Sequence, residues 1–455
     1  MATEPGAMTV NDLIDERPLS RFQLTTILLC GTVLLLDGFD TQAMGFLVPP
    51  ISEDLGIPLP NFGRVISAGL FGLMIGAMLA GPIADRWGRK WAIIVSSIVF
   101  GLFSLLTAFI STLDGLILLR FLTGLGLGGA MPNVVALSSE YAPKRMQPIL
   151  VPAIFAGMGG GAVLASIVGG ALIPAYGWRS VFVVGGVLPI VLALILIKAL
   201  PESLRFLAVK GADRNRIAGI VRRIAPEHAN VVFAPPPASD RREGVAIKHL
   251  FKEGRAAGTL MLWIPFFMNL LILYFILSWL PSLLRQAGMP VTAGITAVAA
   301  FSFGGIFGTL FQGPLMKMMG IFPAMVTEFV ASLALIGVAS VIFANFQLMM
   351  IVTFILGITV QGAQGGLNVL AAMYYPTTVR ATGVGWALGI GRIGSIVGPL
   401  IGGAMLAVQW TPQQIFQAGA VPAFIAAATV ILSRQILGRR SPYLPESAPV
   451  PTAAH

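Results

Sequence analysis

Twelve apolar stretches, most of them twenty or more residues long, decide what this chain can become. They run over about 22–49, 62–84, 91–110, 115–139, 149–174, 180–200, 258–281, 292–312, 321–344, 348–373, 383–407 and 413–433. A helix rises 1.5 Å per residue, so about 20 apolar residues cross a hydrocarbon core roughly 30 Å thick. In that core every backbone N–H and C=O must be satisfied within the segment, and a helix does this. Only 11% of residues are charged and 56% are hydrophobic, against about 25% charged in soluble domains. The expected fold is an all-α integral membrane protein of twelve transmembrane helices in two six-helix bundles. Residues 1–200 form the N-terminal bundle with a short tail, 201–257 a polar central loop with Pro235-Pro236-Pro237 and short helices, and 258–455 the C-terminal bundle with its tail. The first twenty residues mix charges (Asp12, Asp15, Glu16, Arg17) and lack the pattern of a cleaved signal, so the first run is read as a retained span.

Lysine and arginine fix the orientation. With the N-terminus in the cytoplasm, the tails and inner loops, with Lys198 at the inner end of the sixth run, hold 24 of the 29 Lys and Arg residues. The outer loops hold Arg64, Arg179 and Arg285, and Arg120 and Arg392 fall inside spans. Positive charge collects on the cytoplasmic side, so a multi-pass protein of the cell inner membrane with both termini cytoplasmic is expected. The net charge of +10 then faces the anionic headgroups of the lipid bilayer, and no nucleic-acid partner is implied.

The first run carries an anomaly, Leu36-Asp37-Gly38-Phe39-Asp40-Thr41. A charge at the centre of a membrane helix costs about 2.5–3.5 kcal/mol on insertion scales, and here there are two. Asp37 and Asp40 are i and i+3, so they share a helix face, turned toward the protein interior or a wet cavity. Either they handle protons or one of them pairs with a buried arginine. The other intramembrane charges are Glu328, Arg120 and Arg392. Glu328, about seven residues into the ninth span, is expected to reach the cytoplasmic interface as a structural group. An arginine fork matches a carboxylate bidentately and keeps its proton, whereas an aspartate can change charge near neutral pH under burial or a like-charged neighbour. Proton uptake at Asp37 and Asp40 would thus be coupled to binding of an anionic substrate. Arg392 is the first choice for the substrate carboxylate and Arg120 for the partner of an aspartate, although the sequence allows the two roles to be exchanged.

The two halves echo each other in parallel. Gly81-Pro82 is matched by Gly313-Pro314, and Ala165-Ser166-Ile167-Val168-Gly169-Gly170 by Gly394-Ser395-Ile396-Val397-Gly398-Pro399. Parallel repeats of six spans mark a large class of secondary transporters with a midplane substrate site between repeats. After the second span the chain reads Gly81-Pro82-Ile83-Ala84-Asp85-Arg86-Trp87-Gly88-Arg89-Lys90. This loop resembles the signature of the major facilitator superfamily, and the resemblance extends over the whole chain. It implies alternating access and a cytoplasmic gate built on Gly81, Asp85, Arg86, Gly88 and Arg89, extended by Glu140 and Arg145. The second-half copy, Gly313 to Gly320, has lost the acid and the arginines, which leaves the gate on the first copy. Asp37-Gly38-Phe39-Asp40-Thr41 with Gly45-Phe46 and Pro49-Pro50 is similar to the aromatic acid:proton symporter branch, supported by Arg380-Ala381-Thr382-Gly383, Gly389 to Gly394 and Pro201-Glu202-Ser203-Leu204. That branch implies uptake of a small aromatic carboxylate, such as a benzoate or hydroxybenzoate, together with protons, by a monomer.

Polar groups inside spans are candidates to read such a ring: Asn133, Asn269, Tyr274, Gln361, Gln364, Asn368 and Trp386. A mostly apolar pocket with few placed polar groups is the usual small-ligand design, while hydrogen bonding between helices is the plainer role. Gly124-Leu125-Gly126-Leu127-Gly128-Gly129 lies inside a span and fails the context of a dinucleotide turn. There is one cysteine, Cys30, and the histidines His228, His249 and His455 sit in polar segments. No metal and no cofactor are therefore expected, and with no HExxH pair or phosphate loop an enzyme is not. The alternatives within reach are a carrier of another organic anion or sugar-like solute, and a sensor of ring acids that does not transport.

Overall fold

A computed structural model describes residues 14–15, 18–210, 214–224, 247–252, 254–342, 345–376 and 379–437 of the chain. The terminal tails and most of the central loop, including His228, the triple proline and His455, lie outside the described residues. Among the described residues twelve helical segments are long and apolar enough to cross a membrane. The chain is a multi-pass membrane protein. Its helices are α1 Arg21–Leu55, α2 Phe62–Trp87, α3 Arg89–Thr107, α4 Leu113–Tyr141, α5 Gln147–Tyr176, α6 Arg179–Ala199, α7 Leu204–Val209, α8 Arg214–Ile224, α9 Ala256–Gln286, α10 Val291–Met319, α11 Ile321–Val341, α12 Phe346–Tyr374, α13 Arg380–Ala407, α14 Pro412–Ala418 and α15 Ala420–Leu437. The last two make up the twelfth span.

Polar side chains start helices where the loops are short. Thr112 accepts from the Gly115 amide to begin α4, Asn345 from the Leu348 amide to begin α12, and Thr411 with Gln414 forms a capping box on α14. Each satisfies amides that the first turn leaves without helical partners.

Contacts divide the chain into two compact units, Met1–Met44 with Ala68–Glu243 and Gly45–Ser67 with Gly244–His455. The first has a core of Leu34, Ile93, Phe100, Val134, Tyr141, Leu196 and their neighbours, onto which Ile217 and Ile220 of α8 also pack. The second has a core of Phe266, Met325, Phe329, Leu367, Tyr375 and Val430. Each unit uses glycine to bring two helices into backbone contact. In the first, a β-carbon on Gly72 or Gly124 would strike the facing backbone at Phe121 or Gly69. In the second, one on Gly304 or Gly357 would strike Phe354 or Phe301. Without a hydrophobic drive between helices in lipid, such close packing is what holds them together.

Candidate transport site

Asp37 and Asp40 of α1 sit inside the first unit and are buried, at 0% and 5% relative exposure. Gly38 between them makes this possible, because any β-carbon there would collide with the Met158 backbone of α5. Asp40 is held from two sides. Arg120 of α4 donates from Nη1 to Asp40 Oδ2 at 3.0 Å, and Ser104 of α3 donates to Oδ1 at 2.6 Å. The other guanidinium nitrogen, Nη2, donates to Thr107 and Thr123 at 3.0 and 3.1 Å, and the guanidinium lies 4.8 Å from the Phe182 ring centroid. Arg120 itself is 3% exposed. Asp37, one turn earlier, accepts from the Thr41 hydroxyl at 3.1 Å. The shared face therefore delivers the two acids to different surroundings. Ser104, Thr107 and Thr123 are site residues that the sequence reading passed over, although hydroxyls at i and i+3 in the third apolar run were a visible signal.

The second unit holds the other arginine and the amides. Arg392 of α13 is half-buried and donates to the Tyr274 hydroxyl of α9 at 3.3 Å. Asn269, 1% exposed, donates to the Val360 carbonyl at 3.1 Å and to Gln364 Oε1 at 3.0 Å. Gln364 donates onward to Asn368 at 3.4 Å, so these three amides form a ladder from α9 along α12. Gln361 lies over Gly305 of α10. Asn133 donates to the Gly129 carbonyl of its own helix at 2.9 Å. Trp386, 43% exposed, stacks on Trp263 with centroids 6.2 Å apart, and Trp263 meets Phe251 edge-on. Glu328 is covered rather than open to solvent: it is 5% exposed and bound by Gln312 of α10 at 3.2 Å. Depth along a span does not reveal this, because the neighbouring helices α10 and α12 cover it.

Residues 30–331 match the family model described as Major Facilitator Superfamily. The 4-hydroxybenzoate transporter PcaK of Pseudomonas putida is 40% identical over 436 residues, covering 94% of this chain and 96% of that protein. The chain belongs to the major facilitator superfamily. The gallate transporter of Pseudomonas putida is 37% identical, covering 95% and 96% of the two chains. The benzoate transport protein of Acinetobacter baylyi is 34% identical, covering 96% and 94%. Among solved structures, a bacterial homologue of the human lysosomal transporter Spinster superposes with a TM-score of 0.71 at 18% identity, over 94% of this chain and 99% of that one. The xylose transporter XylE from E. coli gives 0.70 at 15%, over 94% and 100%. At such identities these two establish the fold alone.

The superfamily signature occupies the turn from α2 to α3. Asp85 and Arg86 are exposed, and the space beside Gly81 is open. Arg89 forms an ion pair with Glu140 of α4, while Arg145 is exposed. The acid that organises the turn is Glu202, of the Pro201-Glu202-Ser203-Leu204 run. Its Oε1 accepts from the Arg89, Lys90 and Ser203 amides at 2.9, 3.1 and 2.9 Å. A carboxylate here complements both the free amides and the positive end of α3. Gly88 precedes the helix at φ 93° and ψ 159°, and a β-carbon on it would collide with the Glu202 carboxylate. Tyr141 donates to the Glu202 carbonyl at 2.7 Å, and Gln23 to the Tyr141 carbonyl at 2.9 Å. The sequence reading used Glu202 only as a family mark.

Proposed function

We propose that this protein imports an aromatic carboxylate of the benzoate or hydroxybenzoate type across the cell inner membrane, with protons and by alternating access. The relatives' names supply the substrate class, and the excess of Lys and Arg on one set of loops supports cytoplasmic termini. One observation carries the division of labour: Arg120 is committed to Asp40 inside the first unit. That leaves the substrate carboxylate to Arg392, whose planar fork can bind it bidentately, with Tyr274 alongside. The Asn269, Gln364 and Asn368 amides read ring substituents. Protonating Asp40 would break a buried ion pair, and losing one partner of such a pair costs about 3–5 kcal/mol. Asp37 is accordingly the coupling acid and Asp40 the anchor.

The test is uptake of radiolabelled 4-hydroxybenzoate by proteoliposomes under an imposed pH gradient. Arg392→Ala loses a charge-assisted contact of about 1.5–3 kcal/mol, so substrate affinity falls roughly 10- to 150-fold. Asp37→Asn stops accumulation driven by the gradient while counterflow exchange continues. Wild-type uptake in Arg392→Ala refutes the carboxylate assignment. Gradient-driven accumulation by Asp37→Asn refutes the coupling assignment. Binding without exchange in the wild type refutes transport itself.

A further inference from the structure

Glu328 and Gln312 form a pair that no step above uses. Glu328 sits seven residues into α11, and Gln312 near the end of α10. Both are buried, at 5% and 4% relative exposure. Gln312 Nε2 donates to Glu328 Oε2 at 3.2 Å. The amide's own oxygen, Gln312 Oε1, is buried with no hydrogen-bond donor among the described residues. It is turned to the same place as the other carboxyl oxygen. A β-carbon built on Gly362 of α12 would lie 3.3 Å from Gln312 Oε1 and collide with Glu328 Oε1. Gly362 and Gly366 thus provide the recess that the two head groups fill. One turn along α11, Ser332 donates to Thr359 of α12 at 2.7 Å, tying the two helices together beside the recess.

An acid oxygen facing an amide oxygen in a buried recess lacks a hydrogen on one side. A carboxylate is an acceptor only, whereas a carboxylic acid brings one O–H. Exchanging the oxygen and nitrogen of the amide does not remove the difficulty, since one carboxyl oxygen then still faces a carbonyl. The helices packed against α11 are α10, α12, α14 and α15. Their titratable groups are Lys317, Tyr374 and Arg434, and none of them reaches the Glu328 carboxyl among the described residues. Burying an ionised acid without a cation is far costlier than burying a neutral one.

We propose that Glu328 is a second proton-binding site, carried by the second unit. It is held as the neutral acid in a cyclic pair, its O–H donating to Gln312 Oε1 while Gln312 Nε2 donates to Oε2. The site goes beyond the coupling assigned to Asp37 and does not depend on it.

Infrared spectroscopy of the full-length protein in lipid nanodiscs at pH 7 tests this. Glu328→Gln removes a hydrogen-bonded carboxylic-acid C=O band, while Asp37→Asn leaves that band in place. If Glu328→Gln instead removes a carboxylate band, the proposal is overturned. Melting curves give an independent reading. Wild-type stability drops at alkaline pH as the pair loses its proton, and Glu328→Gln, which can close the same ring with two amides, stays flat. An identical pH dependence in both proteins overturns the proposal. Should Glu328→Gln fail to fold, Gln312→Leu reads the same pair, since the acid band then moves to higher frequency, and an unmoved band counts against it. Replacing choline by sodium leaves the band unchanged; its loss in sodium would mean that the oxygens hold a cation instead of a proton.

Discussion

Replacing Arg120 by methionine isolates what the buried ion pair contributes. The substitution keeps an unbranched apolar stem, removes the cation, and leaves Asp40 with Ser104 as its donor. Both side chains of the pair are 4% exposed, so solvent screening does not reduce the effect. The two threonines lose a donor but keep bonds to their own helices, Thr107 to the Phe103 carbonyl at 2.8 Å and Thr123 to the Leu119 carbonyl at 2.7 Å. Their contribution to the loss is small. An unpartnered buried charge costs about 3–5 kcal/mol. At about 2–4 °C per kcal/mol for a unit of this size, the melting temperature falls by roughly 6–20 °C. The double variant Asp40→Asn/Arg120→Met removes both charges, and replacing a buried pair outright is often neutral. It therefore recovers most of the loss, and the coupling energy of the cycle is about 2 kcal/mol or more. Thermal melting of detergent-purified protein followed by tryptophan fluorescence measures all four corners. If the double variant is destabilised by the sum of the two single changes, the pair does not hold α1 to α4 and Asp40 is not the anchor.

Glu202→Ala strips the α3 terminus of its acceptor and costs about 2–4 kcal/mol, from charge-assisted hydrogen bonds and the helix dipole together; an unchanged melting temperature would contradict the cap. Gly88→Ala places a side chain in a backbone region nearly reserved for glycine, costing about 1–3 kcal/mol, before its collision with Glu202, and the same melt checks it. Gly38→Val drives α1 and α5 apart and should abolish uptake while the protein still reaches the membrane; normal uptake and normal surface levels together would refute the close contact. Arg89→Ala and Glu140→Ala each cost under about 1 kcal/mol, because the pair is partly exposed and such pairs contribute little. A larger loss in either melt would mean that the ion pair does more than meet solvent.

The membrane fold was legible because hydrocarbon imposes a length rule, and twelve runs obeyed it. The buried pairing of an α1 acid with Arg120 was legible for a related reason, since a charge deep in a span must find its opposite. What charge counting could not do was separate Asp37 from Asp40, because a shared helix face does not say which neighbouring helix each acid meets. That depends on Ser104, Thr107 and Thr123, neutral residues that raise no alarm in an apolar run. Glu202 was opaque for a different reason: it lies more than one hundred residues from the Arg89 and Lys90 amides that it binds, and a carboxylate just after a span reads as an ordinary loop charge. Trp386 was singled out by its neighbours in sequence, and its stacking on Trp263 could not be read there, because the partner lies on another helix.

Three acids are buried in spans, and their partners differ in kind. Asp40 meets a guanidinium, which only donates and does not give up its proton at physiological pH. Thr41 at Asp37 and Gln312 at Glu328 can each donate to a carboxylate or accept from a carboxylic acid. A hydroxyl turns to do so, and an amide already presents both functions on one edge. An arginine therefore serves only the charged form of a neighbouring acid, whereas a hydroxyl or an amide can serve either form. The chemistry of these partners supports the proposed division between Asp40 as an anchor and Asp37 and Glu328 as proton sites, on grounds that do not invoke the substrate. Thr41→Val tests the distinction: it removes a hydroxyl partner of Asp37 with little change of volume, so gradient-driven uptake should weaken while the Asp40–Arg120 cycle keeps its coupling energy. If coupling at Asp40 changes and uptake does not, the division between anchor and carrier fails.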